Sequence, residues 1–311
     1  MLLLYRRSGF ELHRLIGEMK KFVCWKGVDM FPGIKIGLVI SILMASTIFC
    51  FKASEAEQEN KTFNYDNYAE VLKSYVDNQG MVNYKQLKAN REKLDLFARQ
   101  LPRLEEQTYK KWSDNDKIAF WINAYNGLTL KSIIDNYQIK SSFFKSRIYP
   151  KNSIRQITGV WDKNKHKVMS KDRTLEHIEH EILRKQFNEP GIHVALVCAA
   201  MGCPPLLNEP YFGDKLDEQF DDRTRRFLSD PKKFNIDRKK ERVSLSPIFK
   251  WFGSDFVGKY GKEKTLLRLN KNETAVINYI SRILEKDDRD YLLQGNFKIK
   301  YLDYDRSLNE Q

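Results

Sequence analysis

Residues 36–51 (IGLVISILMASTIFCF) form a sixteen-residue run without a charged side chain. The run is shorter than the roughly 20 residues of a comfortable transmembrane helix. Lys35 precedes it, with Lys20, Lys21 and Lys26 upstream. Ser54-Glu55-Ala56 follows, with small residues at the minus-three and minus-one positions of a signal-peptidase site. Met30 opens MFPGIKIGLVISILMASTIFCFKASEA, which reads as a complete signal peptide, so the translation start is expected at Met30 rather than Met1. Two alternatives stay open: an uncleaved membrane anchor through 36–51, and a buried core helix. Thr47-Ile48-Phe49 is a poor match to the small residues that precede a lipidated cysteine, which counts against lipidation of Cys50. A signal or an anchor places the body outside the cytoplasm, in a periplasmic or extracellular compartment.

The chain carries 54 Lys+Arg against 41 Asp+Glu, a net charge of +13. A basic balance either solubilises the surface or points to anionic partners, and for an exported chain these are an envelope polymer or a membrane surface. Basic residues are interleaved with acids, as in KDRTLEHIEHEILRK, and no block of five consecutive basic residues occurs. Nucleic acid is therefore not an expected partner. Of four cysteines, Cys24 and Cys50 lie in the leader, leaving Cys198 and Cys203 for the body. That is too few for a disulfide scaffold and the wrong pattern for a zinc finger. The sequence has no Gly-x-Ser-x-Gly, no phosphate-binding glycine loop and no dinucleotide fingerprint, so no cofactor is expected and serine hydrolases and nucleotide enzymes are disfavoured.

Three segments follow: a leader at 1–56, a linker at 57–64 and a single domain at 65–309. Helices are expected over 65–76, 85–101 (ended by Pro102), 113–137, 175–187, 213–229, 247–252 and 273–285. Short strands are expected at 165–169, 242–245 and 297–301. The most apolar one, Ile192 to Cys198 (IHVALVC), is bounded by turn residues. The fold class is α+β, a mostly helical single domain around a small sheet.

Several blocks carry a family resemblance. They are Phe120-Trp121-Ile122-Asn123-Ala124-Tyr125-Asn126, Leu175-Glu176-His177-Ile178-Glu179-His180, His193-Val194-Ala195-Leu196-Val197-Cys198 and Gly202-Cys203-Pro204-Pro205-Leu206. Residues 245–252 (LSPIFKWF) and 301–309 (YLDYDRSLN) add two more. In this order they resemble the domain-of-unknown-function 547 family over roughly 65–309. The last block departs at Arg306, where the pattern has Trp. The resemblance implies an uncharacterised protein that in bacteria often has an N-terminal export signal, and it assigns no activity.

Polar residues inside apolar stripes are the candidate site residues. At 100° per residue with Ile118 at zero, Asn126 falls at about 80°, among Ile122, Ile133 and Leu130. Asn123 falls at about 140°, at the edge of the stripe. A buried amide without partners costs about 1–3 kcal/mol, so Asn126 must be fully hydrogen-bonded, either as a structural clamp or as a group polarising a substrate. With Leu175 at zero, Glu179 lies at about 40°, in the centre of its stripe, and His180 at about 140°. His177 points to the charged face. A carboxylate in an apolar stripe must pair or shift its pKa, and such groups gather at functional sites.

His193 opens the apolar run. In an extended strand it would stand roughly 17 Å from Cys198, too far for a direct dyad, and could pair with Glu179 instead. Cys198 and Cys203 are compatible with a disulfide, with one reactive thiol (Cys203 preferred) or with two inert thiols. Three functions stay open. One is a cysteine-dependent hydrolase or acyl-transfer enzyme using Cys203 or Cys198, His180, Glu179 and Asn123 or Asn126. The second is a non-catalytic envelope binding protein. The third is a metal-dependent hydrolase using His177, His180, His193 and a cysteine.

Overall fold

The helix Asp114–Asp135 organises the molecule. Ser113 caps it, its hydroxyl accepting from the Asp116 N–H, and Asp114 and Asp116 place negative charge in its first turn. In the computed structural model, which describes residues 62–311, this helix is buried on every side from Ile118 to Leu130. A helix buried all round has no single stripe, so Asn126 is buried as its place inside the apolar arc implies, while the edge expected for Asn123 does not exist.

The helices Asp66–Tyr75, Tyr84–Ala89 and Glu92–Gln100 pack around it. The expected helix over 85–101 is thus two helices. Asn90 interrupts it with a non-helical backbone, and its N–H closes on the Gln86 carbonyl. His166–Val168 (β1) and Lys171–Arg173 (β2) form an antiparallel hairpin. A second sheet has the order β3 (Phe234–Asp237), β4 (Arg242–Leu245), β5 (Lys298–Tyr301). β3 and β4 run antiparallel with Phe234 opposite Leu245, and β4 and β5 run parallel with Val243 opposite Ile299. The described residues fall within one compact unit, Asn60–Gln311, and helices dominate, an α+β mix. The leader lies outside the described residues. Among those described, no helix is long and apolar enough to cross a membrane.

Two corrections bear on the site. Ile192 to Cys198 is not a strand: Pro190–Val194 is a 3-10 helix, and an irregular segment carries the chain to Ala200. Its apolar composition reflects burial between two cores. Ile192 and Ala195 belong to the core around the long helix, and Val194 to the core around the Lys271–Ser281 helix and the second sheet. A fully buried apolar run has the same pattern in either backbone. The 17 Å separation deduced for an extended strand falls with it. The second correction concerns 175–187. Thr174 does cap its start, accepting from the His177 N–H at 3.1 Å, but His177–Leu183 is π-helical. The Arg184 N–H bonds the Glu179 carbonyl five residues back. Such a turn advances less than 100° per residue and shifts every angle assigned there.

Candidate ligand cleft

A cleft of about 280 Å³ opens where the two cores meet. Tyr125 and Leu196 line it from the first core, Ile248 and Phe252 from the second. Glu179, His180, His193, Cys198 and Cys203 also line it, so five of the seven site residues read from the sequence come together there. The other two do not reach it. Asn123 donates to the Tyr211 carbonyl at 2.8 Å and accepts from the Tyr211 N–H at 2.9 Å. Asn126 donates to Ala195 O at 3.0 Å and accepts from Val197 N–H at 2.9 Å. Each amide thus clamps a passing backbone. Asn126 supports the cleft from behind by fixing the segment that leads to Cys198.

The π-helical turn sets Glu179 and His180 side by side, both half-buried. The Tyr125 hydroxyl donates to Glu179 Oε2 at 2.9 Å. His180 is oriented by a chain that sequence reasoning missed. Arg184 holds Asp255 through two hydrogen bonds, at 2.6 and 2.9 Å, and its third nitrogen lies 2.9 Å from His180 Nδ1. Arginine only donates, so Nδ1 accepts and the neutral ring carries its proton on Nε2. His180 is therefore a fixed donor, and its acceptor nitrogen is occupied. Asp255 also takes His193 Nε2 at 2.8 Å, so His193 pairs with Asp255 and not with Glu179. The His193 ring stacks on Phe252 with centroids 4.2 Å apart.

Burial pushes the Asp255 carboxyl up, but the hydrogen bonds from His193 and Arg184 outweigh it and hold the group well below the usual carboxylate range. Burial lowers the pKa of His193, against the pull of Asp255. His166 and His177 are lowered as well, in each case first by burial. The sign follows. Below a pH of about 6.5 the unfolded chain protonates these imidazoles before the folded one does, so stability falls on acidification. Urea-unfolding midpoints are expected to drop steadily from pH 7.5 to 5.5, and His193→Gln is expected to flatten that slope.

Cys198 and Cys203 are joined as a disulfide. The Tyr304 hydroxyl lies 3.2 and 3.1 Å from the two sulfurs, and burial keeps this phenol protonated, so it donates. Gly202 allows that ring its place, since a Cβ there would meet Tyr304 ring carbons at 2.8 Å. Ala199 has φ +59°, a left-handed conformation that costs a residue with a side chain and marks this loop as strained. The loop is also a wall: Ala200 and Cys203 line a second cavity, of about 370 Å³.

Two cations complete the cleft, Arg155 and Arg306. Neither forms an ion pair among the described residues. Their guanidinium groups lie 5.8 Å from the Tyr149 ring and 5.5 Å from the Tyr304 ring. The Trp161 indole nitrogen is buried and has no hydrogen-bond partner among the described residues. No group of three metal-ligating side chains gathers among the described residues. Two of the three imidazoles of the metal reading have an arginine at a ring nitrogen, His177 Nε2 with Arg173 at 2.9 Å and His180 Nδ1 with Arg184.

With this geometry in place, the chain can be set against known proteins. Residues 109–228 match the family model "Protein of unknown function, DUF547". The resemblance read from the sequence blocks is shown for this segment. No curated protein and no solved structure matches the chain. The DUF547 segment contains the long helix, the π-helical turn and both cysteines. Asp255, Tyr304 and Arg306 lie beyond it, so the cleft is closed by chain outside the DUF547 match.

Proposed function

We propose that the cleft binds a small anionic ligand, and that the protein is a binding protein of the cell envelope. One observation carries the reading: two guanidinium groups that form no ion pair among the described residues, Arg155 and Arg306, line one concave site together with Glu176 and Glu179. Arginines so placed suit a carboxylate or phosphate. Tyr125, Trp161, Trp251 and Tyr304 supply flat apolar walls for the body of the ligand. Glu179 accepts, and His180 Nε2–H and the Trp161 indole N–H donate, which fixes orientation. A fragment of an acidic envelope polymer has this combination of charge, hydroxyls and apolar ring faces. Residence outside the cytoplasm is supported by the disulfide, since such bonds persist in oxidising compartments, and by the 36–51 run.

A calorimetric panel of sugar acids, sugar phosphates and their neutral counterparts tests the reading. Anionic members are expected to bind and neutral ones not. Equal binding of both kinds, or of neither, would sink it.

A second reading, a cysteine-dependent hydrolase or acyl-transfer enzyme, has one observation in its favour: both sulfurs line the same cleft as Glu179 and His180. It requires reduction of the disulfide, and a base other than His180 Nδ1, which leaves Glu179.

A further inference from the structure

The segment 136–161 contains no acidic residue and five basic ones, Lys140, Lys145, Arg147, Lys151 and Arg155. Among the described residues none of the five forms an ion pair. Within it, Phe143, Phe144 and Ile148 are 72, 76 and 73% exposed. The two phenylalanine rings touch edge to face with centroids 5.7 Å apart, so their apolar surface is contiguous. Arg147 lies over the Phe143 ring at 5.0 Å.

This loop is built to hold that shape. Gln156 is buried, and its side chain acts as a hub. It accepts from the Ser142 N–H at 3.0 Å and donates to the Pro150 carbonyl at 3.1 Å. Lys145 reaches back to the Gln156 carbonyl at 3.2 Å and the Thr158 hydroxyl at 3.1 Å. The polar groups are spent inward on fixing the backbone, while the large apolar side chains face water. Folding alone gives no reason for that arrangement, because the same hub would form with serine at 143, 144 and 148.

We propose that this loop is a membrane-contact surface, with Phe143, Phe144 and Ile148 entering the interface of an anionic phospholipid bilayer and the surrounding cations meeting its headgroups. Aromatic and aliphatic side chains gain by leaving water at the headgroup boundary. Each nearby Lys or Arg adds electrostatic attraction to an anionic leaflet, and arginine and lysine stems can lie along the apolar layer. Charge complementarity selects the partner: a neutral apolar protein surface would leave Lys140, Arg147 and Lys151 without counter-charges. Arg155 belongs both to this segment and to the cleft, so contact with the bilayer brings the cleft mouth to the membrane surface.

Hydrogen exchange of the full-length chain, mixed with vesicles, tests this locally and is independent of any membrane affinity of 36–51. With vesicles of phosphatidylglycerol and phosphatidylcholine, amides over 141–151 are expected to exchange about tenfold more slowly. Pure phosphatidylcholine vesicles, or raised salt, should remove most of that protection. The exposed triple variant Phe143→Ser/Phe144→Ser/Ile148→Ser should lose it while the core amides keep their rates. Unchanged exchange on anionic vesicles overturns the proposal. So does protection that appears with rising protein concentration and no lipid, because the loop would then be a contact between copies of the chain.

Discussion

Replacing Asp255 by alanine lowers stability by about 3 kcal/mol. The carboxylate hydrogen-bonds both Arg184 and His193, at 2.6 and 2.9 Å to the former and 2.8 Å to the latter. The Asp255 side chain is 20% exposed, Arg184 26% and His193 2%. Solvent therefore screens the three groups only in part, and removal of one partner leaves a half-buried guanidinium and a buried imidazole donor without an acceptor. In a domain of this size the loss corresponds to a melting temperature lower by roughly 6–12 °C. Asp255→Asn keeps one oxygen for Arg184 and should cost about half as much. Thermal unfolding of the two variants checks both values. Melting of Asp255→Ala within a degree or so of the wild type would mean that the chain of contacts to His180 is incidental.

The second large effect is on ligand affinity. Arg306→Ala is expected to weaken binding of an anionic ligand by about ten- to a hundredfold, the usual loss for one charge-assisted hydrogen bond. Arg155 is exposed and more strongly screened, so Arg155→Ala should cost less, about three- to tenfold. Among the described residues neither arginine belongs to an ion pair, so the fold should be unchanged in both. Calorimetric titration at two salt concentrations distinguishes charge from packing. The wild type should lose affinity as salt rises, and the double variant should show a flatter dependence. If the variants bind as tightly as the wild type, the anion is not held by this pair.

How much of this is legible in the sequence depends on the distance over which each feature is determined. The cap at Ser113 and the helix after it are local, and both can be read. So can the unusual position of Glu179 and His180, because a carboxylate and an imidazole interrupt an apolar stripe within one segment. The geometry of that segment cannot be read, since the hydrogen-bonding pattern that makes it π-helical is invisible to a fixed angle per residue. Ile192 to Cys198 misleads for another reason. It is apolar because two cores press on it, and burial writes the same composition into a strand and into a 3-10 helix. Asn126 is required to be hydrogen-bonded, and it is, yet its partners lie 69 and 71 residues away and no local pattern names them. Asp255 is the clearest loss. It sits in an ordinary Gly-Ser-Asp-Phe stretch, 71 residues from Arg184 and 62 from His193, and only the fold shows what it orients. Arg155 and Arg306 are hidden among 54 basic residues, and they stand out only as cations that line a concave site and form no ion pair among the described residues.

The account rests most heavily on a cleft that binds through its arginines, Glu179 and His180, with its two sulfurs tied together. A free-thiol count on the folded chain tests that directly, by alkylation and mass analysis before and after reduction, with each thiol assigned to its peptide. The expected result is no alkylation at Cys198 or Cys203 until a reductant is added, and alkylation of both afterwards. A thiol at Cys203 that alkylates rapidly at neutral pH without reductant would contradict the account, because an exposed thiolate in this cleft belongs to a nucleophile.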